Sequence, residues 1–152
     1  MKRVFPDTKY QPIVATTIPD NVRTAVSKRT GQALNAKLGI CHAIDKKGNV
    51  IGYGLVDDVR GKSQPITYLT MLKPDGTIAE VEVLVYREPY GGEIQYESFR
   101  KQFRGKKAES ELHVGHDITN IAGATISSHA ITQGAKKMVV LFDELRKGHN
   151  AY

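Results

Sequence analysis

Hydrophobic and polar positions follow two periods in this chain: short alternating runs through the middle, and helical spacing near both ends. In the segment from Ile78 to Tyr86, Ile78, Val81, Val83 and Val85 are apolar while Glu80 and Glu82 mark a wet face. That alternation predicts a half-buried antiparallel strand. Pro74-Asp75-Gly76 before it is a turn, because Pro presets the turn's second position and Gly accepts positive φ. Ile66 to Leu72 is rich in β-forming residues, and Lys37–Ile44 and Val50 to Val59 flank a loop of hairpin composition at 45–49. Residues 37–86 therefore predict a four-stranded meander. Pro19-Asp20 ahead of Asn21 predicts a helix start with Asp20 or Asn21 as N-cap and Gly31 as stop. Ser98 to Phe103 predicts a short helix ended by Gly105. From Ser127 to Lys147, Ile131, Ala135, Met138, Phe142 and Leu145 recur on one helical face, with Asp143 and Lys147 as an i,i+4 pair on the exposed side. The expected fold class is α+β: an antiparallel β-meander sheet flanked by N-terminal and C-terminal helices.

Composition narrows the function classes. At 152 residues, 40% hydrophobic and 25% charged, the chain reads as a single folded domain over 1–152. No apolar run approaches the ~18–20 residues of a bilayer helix, so it reads as not a transmembrane protein. One cysteine, Cys41, excludes an internal disulfide framework and a multi-cysteine metal site, and predicts a small packed hydrophobe. Lys and Arg number 22 against 16 Asp and Glu. The densest basic cluster is Arg100, Lys101, Arg104, Lys106 and Lys107. With aromatics at 7% and no accompanying recognition motif, it reads as a solvated face, and no nucleic acid partner is expected. His113 and His116 stand beside Asp117, but no third independent ligand set accompanies them, so no metal site is assigned. Met1-Lys2-Arg3 runs directly into Phe5-Pro6-Asp7 with no apolar h-region. A cytoplasmic chain and a mature fragment without its leader are both open on that reading.

Two glycine-rich loops stand out. One is Arg87-Glu88-Pro89-Tyr90-Gly91-Gly92, directly after the clearest strand; the other is Gly123-Ala124-Thr125-Ile126-Ser127-Ser128, at the start of the last helix. Small residues at 122–124 let a ligand approach the backbone, and Thr125, Ser127 and Ser128 add three hydroxyls. The first N–H groups of a helix lack intrahelical partners and sit at the positive end of its dipole, which suits a phosphate. An ordinary Ser/Thr cap with tight helix–sheet packing fits the same residues. No catalytic dyad adjoins the loop, so no catalytic residue is assigned.

The segment Gly123 to Ser128 resembles the Ser/Thr-Gly-Ala-Thr-x-Ser/Thr-Ser signature of the FMN-binding domain family, which includes the NqrC and RnfG subunits of membrane redox pumps and many small extracytoplasmic flavoproteins. Further segments follow in the family's order over about residues 50–147. Val50 to Gly54 resembles its early strand, and Gly61 to Ile66 its Gly-x-x-x-Pro-Ile turn. Pro74 to Val83 is similar to its hairpin. Arg87 to Gly92 stands where many members have Glu-Thr-Pro-Gly-Leu-Gly, and Phe103 to Lys106 resembles Phe-x-Gly-Lys. Ala122 replaces the Ser or Thr that covalent members carry before Gly-Ala, and Thr119 replaces their Asp.

The resemblance implies a flavoprotein whose cofactor is FMN, joined by a phosphoester to Thr125 through a flavin transferase that uses FAD and magnesium. It implies cofactor contacts from Gly123, Ala124, Thr125, Ser127 and Ser128, from Glu88, Pro89, Tyr90, Gly91 and Gly92, and from Pro65, Ile66 and Thr67. Arg87, Lys62 and Glu88 are candidates to tune the flavin's potential. The implied role is electron transport for a membrane-associated redox complex or cytochrome, as a carrier more than a stand-alone enzyme. The implied location is extracytoplasmic, periplasmic or cell-surface. The alternative is a flavin-dependent reductase holding FMN noncovalently; against it, no Gly-x-Gly-x-x-Gly dinucleotide fingerprint is present.

Overall fold

The computed structural model describes residues 8–148; the reading of the first residues as lacking a leader lies outside them. The order is β1 (Lys9–Tyr10), β2 (Val14–Thr17), α1 (Asp20–Thr30), β3 (Lys37–Ile44), β4 (Val50–Arg60), β5 (Pro65–Leu72) and β6 (Ile78–Val85). A 3-10 turn at Gly92–Gln95, helix α2 (Glu97–Arg100), a second 3-10 turn at Lys101–Phe103 and helix α3 (Thr125–Gly148) follow. The class is α+β. The sheet is antiparallel, in the order β1-β3-β4-β5-β6, with β2 also paired to β3.

The meander β3–β6 forms because each strand supplies alternating apolar side chains and each connection supplies a turn. Asp45 Oδ1 accepts the N–H groups of Lys47 and Asn49 in the first hairpin, and Asp75 Oδ1 accepts that of Thr77 in the last. Helix α3 lays the predicted face on the sheet: Ile131, Ala135 and Met138 are fully buried, and Phe142 and Leu145 are 2% exposed. Tyr53 of β4 packs against Phe142 with ring centroids 4.9 Å apart. Helix α1 lies beside α3, where Arg29 Nη1 reaches Asp143 at 2.8 Å and Glu144 at 2.9 Å. Asp143 also takes the expected pair with Lys147 at 3.4 Å.

A buried polar cluster joins α3 to the sheet. Asp57 of β4 pairs in register with Tyr68 of β5. Asp57 Oδ2 accepts the Tyr68 hydroxyl at 3.2 Å and lies 3.1 Å from Lys137 Nζ, while Oδ1 accepts Asn35 Nδ2 at 2.9 Å. Burial first, and then the Asp57 carboxylate, push the Tyr68 phenol well above its ordinary pKa. Gly134, one turn before Lys137, sits where a Cβ would lie 2.7 Å from the Tyr68 hydroxyl and 2.9 Å from Val59. Only glycine lets the helix approach the sheet this closely.

Several expectations are corrected. Glu80 is not on a wet face: it is 5% exposed, with Arg104 at 2.7 Å and Arg100 at 3.2 Å. The Arg100–Lys107 cluster is therefore not simply a solvated face, because two of its arginines neutralise a buried carboxylate. Val85 is 42% exposed, at the end of β6 where the register shifts opposite Thr67 and Tyr68. The helix from Ser98 to Phe103 is instead α2 followed by a tighter 3-10 turn. The last helix begins at Thr125, two residues before Ser127. Strands β1 and β2 lacked a pattern long enough to read.

Removing one partner of a buried ion pair leaves a charge without compensation. Lys137→Ala is expected to lower unfolding free energy by about 3–5 kcal/mol in urea denaturation followed by circular dichroism. Adding Asp57→Asn to it is expected to recover part of that loss.

Candidate functional site

Three segments far apart in sequence converge at the N-terminus of α3: the turn from Gly61 to Gln64, the loop from Tyr86 to Gly92, and the motif loop from Thr119 to Ser128. The first two are tied together by charge. Glu88 Oε1 accepts the N–H of Ser63 at 2.7 Å and of Gln64 at 2.9 Å. Those two donors, Gln64 first, hold the Glu88 carboxyl below its ordinary pKa. Arg87 Nη1 donates to the Pro65 carbonyl at 2.7 Å and to Thr67 Oγ1 at 3.2 Å.

The loop is tied to the helix through Tyr86. Its hydroxyl donates to the Tyr90 carbonyl, and Ser127 Oγ lies 2.8 Å from the same hydroxyl oxygen. A phenol has one proton. With that proton on the Tyr90 carbonyl, Ser127 must donate to Tyr86, which leaves the Ser127 oxygen free as an acceptor. Gly91 is required here: its φ is 88°, and a Cβ would sit 2.9 Å from Ser127 Oγ.

At the helix start the Ala124 carbonyl accepts the Ser128 N–H at 2.8 Å. The N–H groups of Thr125, Ile126 and Ser127 thus precede the first helical bond, and none has an acceptor among the described residues. A cavity of about 340 Å³ opens in front of them, lined by Lys62, Glu88, Gly91, Gly123, Ala124, Thr125, Ile126 and Ser127. That volume falls in the range of small-ligand sites, roughly 300–1,000 Å³. Four buried side-chain atoms among the described residues lack partners; Ser128 Oγ and Glu93 Oε2 belong to residues next to the lining but not on it, and Thr70 Oγ1 and Arg23 Nε lie elsewhere. Glu93 borders the motif loop, its Oε1 3.7 Å from where a Cβ on Gly123 would lie. Orphaned buried polar atoms are uncommon in folded proteins. Three free N–H groups at a helix start, opening on a groove of this volume, suit a phosphate, so the residues present fit the phosphate end of FMN.

The expected site residues are only partly gathered. Glu88, Gly91, Gly123, Ala124, Thr125 and Ser127 line the groove together with Lys62. Ser128 is fully buried behind it, and Ile66 is fully buried in the core. Tyr90 is 83% exposed, with its carbonyl engaged and its ring in solvent. Pro65 and Thr67 are held beside the groove through Arg87. Pro89 and Gly92 belong to the same loop but are not on the lining. Tyr86, Glu93 and Asn120 were not singled out in the sequence, because no motif or period marks a tyrosine ending a strand, one glutamate among many, or an asparagine in a loop. Asp117 oxygens accept the N–H groups of Leu112 and His113, so this carboxylate organises its own loop. Among the described residues no group of three His, Cys, Asp or Glu is placed to hold a metal ion.

The FMN-binding domain family matches residues 61–140. The G component of a proton-translocating ferredoxin:NAD(+) oxidoreductase complex from Clostridium ljungdahlii is 32% identical over 106 residues, 64% of this chain and 57% of that one. The G component of a Na(+)-translocating ferredoxin:NAD(+) oxidoreductase complex from Acetobacterium woodii is 29% identical over 110 residues, 66% of this chain and 53% of that one. The chain thus spans a little over half the length of these relatives. The crystal structure of Shewanella oneidensis NqrC superposes with a TM-score of 0.59 over 92% of this chain and 70% of that one, at 13% identity. At that identity the likeness is one of fold.

Because the folded Glu88 carboxyl is held low, its tie to the 61–64 turn is present at neutral pH and lost as pH falls through the lowered pKa. Amide resonances of Ser63 and Gln64 are expected to titrate together, with a midpoint below the ordinary 4.5, in an NMR pH series.

Proposed function

The chain belongs to the FMN-binding domain family, and on that premise we propose that it is a small electron-transfer flavoprotein holding FMN in the groove at the start of α3. In this reading the phosphate is esterified to Thr125 by a flavin transferase. The electrons are relayed for a membrane-associated redox complex, and the domain works outside the cytoplasm.

The observation that carries the reading is the cradle itself: three unpartnered N–H groups at the mouth of a groove of about 340 Å³ lined by the motif loop, Glu88, Gly91 and Lys62. When bound, FMN supplies the redox chemistry, and the protein sets its position and potential. The N–H groups of Thr125, Ile126 and Ser127 bind the phosphate, helped by the positive end of the α3 dipole. Thr125 is exposed at the groove mouth, where a separate enzyme can reach its hydroxyl. Glu88 and Arg87 hold the 61–67 and 86–92 segments together, and with Lys62 they would place charge of both signs near a bound flavin. Ile126 at 51% and Tyr90 at 83% exposure leave the groove open to solvent and to a protein partner. That openness favours a relay over a reductase that encloses a second substrate. The kinship with the clostridial and acetobacterial proteins, both parts of ion-translocating complexes by name, supports a membrane-associated partner. No helix of the described residues is long and apolar enough to cross a membrane.

The test is intact-mass spectrometry of the chain coexpressed with a flavin transferase. The expected result is a mass gain of one FMN less water, and yellow colour that survives denaturation. Thr125→Ala is expected to abolish the denaturation-resistant flavin. Ser127→Ala, which removes one hydrogen-bonding group, is expected to lower flavin occupancy by roughly three- to tenfold. A wild-type chain that stays colourless and gains no mass overturns the covalent reading, and retention of covalent flavin by Thr125→Ala moves the attachment elsewhere.

A further inference from the structure

We infer that Asn120 is a positioning residue for the Thr125 hydroxyl, holding it in the one orientation from which it is esterified. The inference rests on the attachment proposed above and adds to it a residue of this chain.

Asn120 Nδ2 lies 3.1 Å from Thr125 Oγ1. An amide nitrogen only donates, so the bond takes up one lone pair of the threonine oxygen. The second lone pair and the O–H are left pointing away from Asn120. An exposed threonine side chain otherwise divides its time among staggered rotamers, each aiming the oxygen differently. Among the described residues no other side chain hydrogen-bonds Thr125 Oγ1. Position 122, three residues before it, is an alanine and cannot take that role.

The arm that presents Asn120 is itself held. Gln102 Oε1 accepts the Thr119 N–H at 2.7 Å, and Gln102 Nε2 donates to the Thr119 carbonyl at 3.2 Å. The same Nε2 donates to the Phe99 carbonyl at 3.3 Å, which ties the clamp to α2. Between Asn120 and Thr125 the chain reverses through a turn closed by the Ala124 N–H on the Ile121 carbonyl at 3.1 Å. The residue before Asn120 is thus clamped at both its backbone polar groups, and the side chain of Asn120 closes the turn onto the threonine.

The covalent step balances without a proton from Asn120. Thr125 Oγ1 forms a bond to the flavin-side phosphorus of an FAD-type dinucleotide, the pyrophosphate bridge breaks and AMP leaves. The threonine proton passes to a base of the transferase. Asn120 directs the attacking lone pair and reduces the rotamer search before the bond forms.

Two variants separate the donor from the shape. Asn120→Ala removes the arm. Asn120→Asp keeps its size but presents acceptors where the N–H stood. Purified chain is incubated with a flavin transferase, saturating FAD and magnesium, and FMN mass gain is followed with time at several chain concentrations. Both variants are expected to lower kcat for modification roughly three- to tenfold with KM for the chain unchanged, the loss of one oriented hydrogen bond. In parallel, three-bond NMR couplings that report the Thr125 χ1 angle are measured on the unmodified chain. They are expected to show one rotamer in the wild type and averaged values in both variants. Wild-type rates, or single-rotamer couplings, in Asn120→Ala overturn the inference while leaving the attachment standing. A wild-type chain that gains no mass overturns the attachment, and the inference with it.

Discussion

The placement of α3 depends on the buried pair between Lys137 and Asp57. Lys137 is 6% exposed and Asp57 4%, and their charges meet at 3.1 Å. Taking both ions out of water is costly, and the cost is offset because Asp57 also accepts from Tyr68 and Asn35. A shift of the helix that separated the two groups while they stayed buried would leave a charge without its partner, which disfavours such seatings. Gly134 on the same face lets the helix settle onto Tyr68. Thr125 lies twelve residues upstream of Lys137, about 18 Å along the helix at 1.5 Å per residue. A slip by one turn, about 5.4 Å, would carry the helix N-terminus out of the groove it helps to form.

From that anchor the site is assembled through side-chain clamps on backbone groups. Glu88 holds the 61–64 turn, Tyr86 joins the Tyr90 carbonyl to Ser127, and Gln102 grips Thr119. Beside them, Arg100 and Arg104 neutralise Glu80 and tie β6 to the segment that carries Gln102. Glu97 shares both arginines. Each clamp satisfies polar groups that the loops would otherwise leave unpaired. Ser128 Oγ and Glu93 Oε2, by contrast, stay unsatisfied around the start of α3. Thr70 Oγ1 and Arg23 Nε are unpartnered as well, away from this groove.

Much of this was legible in the residues. The face of Ile131, Ala135, Met138, Phe142 and Leu145 was readable because burial on one side of a helix imposes a 3.6-residue period. The meander was readable because its turns carry residues with conformations few others adopt. The motif loop was readable through its resemblance to a family signature, because its small residues and hydroxyls by themselves fit an ordinary helix cap equally. Glu80 was misread because alternation reports only which way a side chain points, and two arginines some twenty residues later decide whether that side is wet. Strands β1 and β2 are two and four residues long, too short for a period to show.

The sequence alone determined the meander β3–β6, the long C-terminal helix and the face it lays on the sheet, since these follow from local periodicity and turn chemistry, and its resemblance to a family signature singled out the loop at the start of that helix. Tertiary structure alone decided that Tyr86, Glu93 and Asn120 belong beside that loop, and that the Ser127 proton is committed to Tyr86. The reason is physical: a hydrogen bond or a buried orphan atom exists only between groups brought together in space. Tyr86 and Glu93 reach the loop from segments dozens of residues away, and Asn120 reaches Thr125 across a turn of five residues.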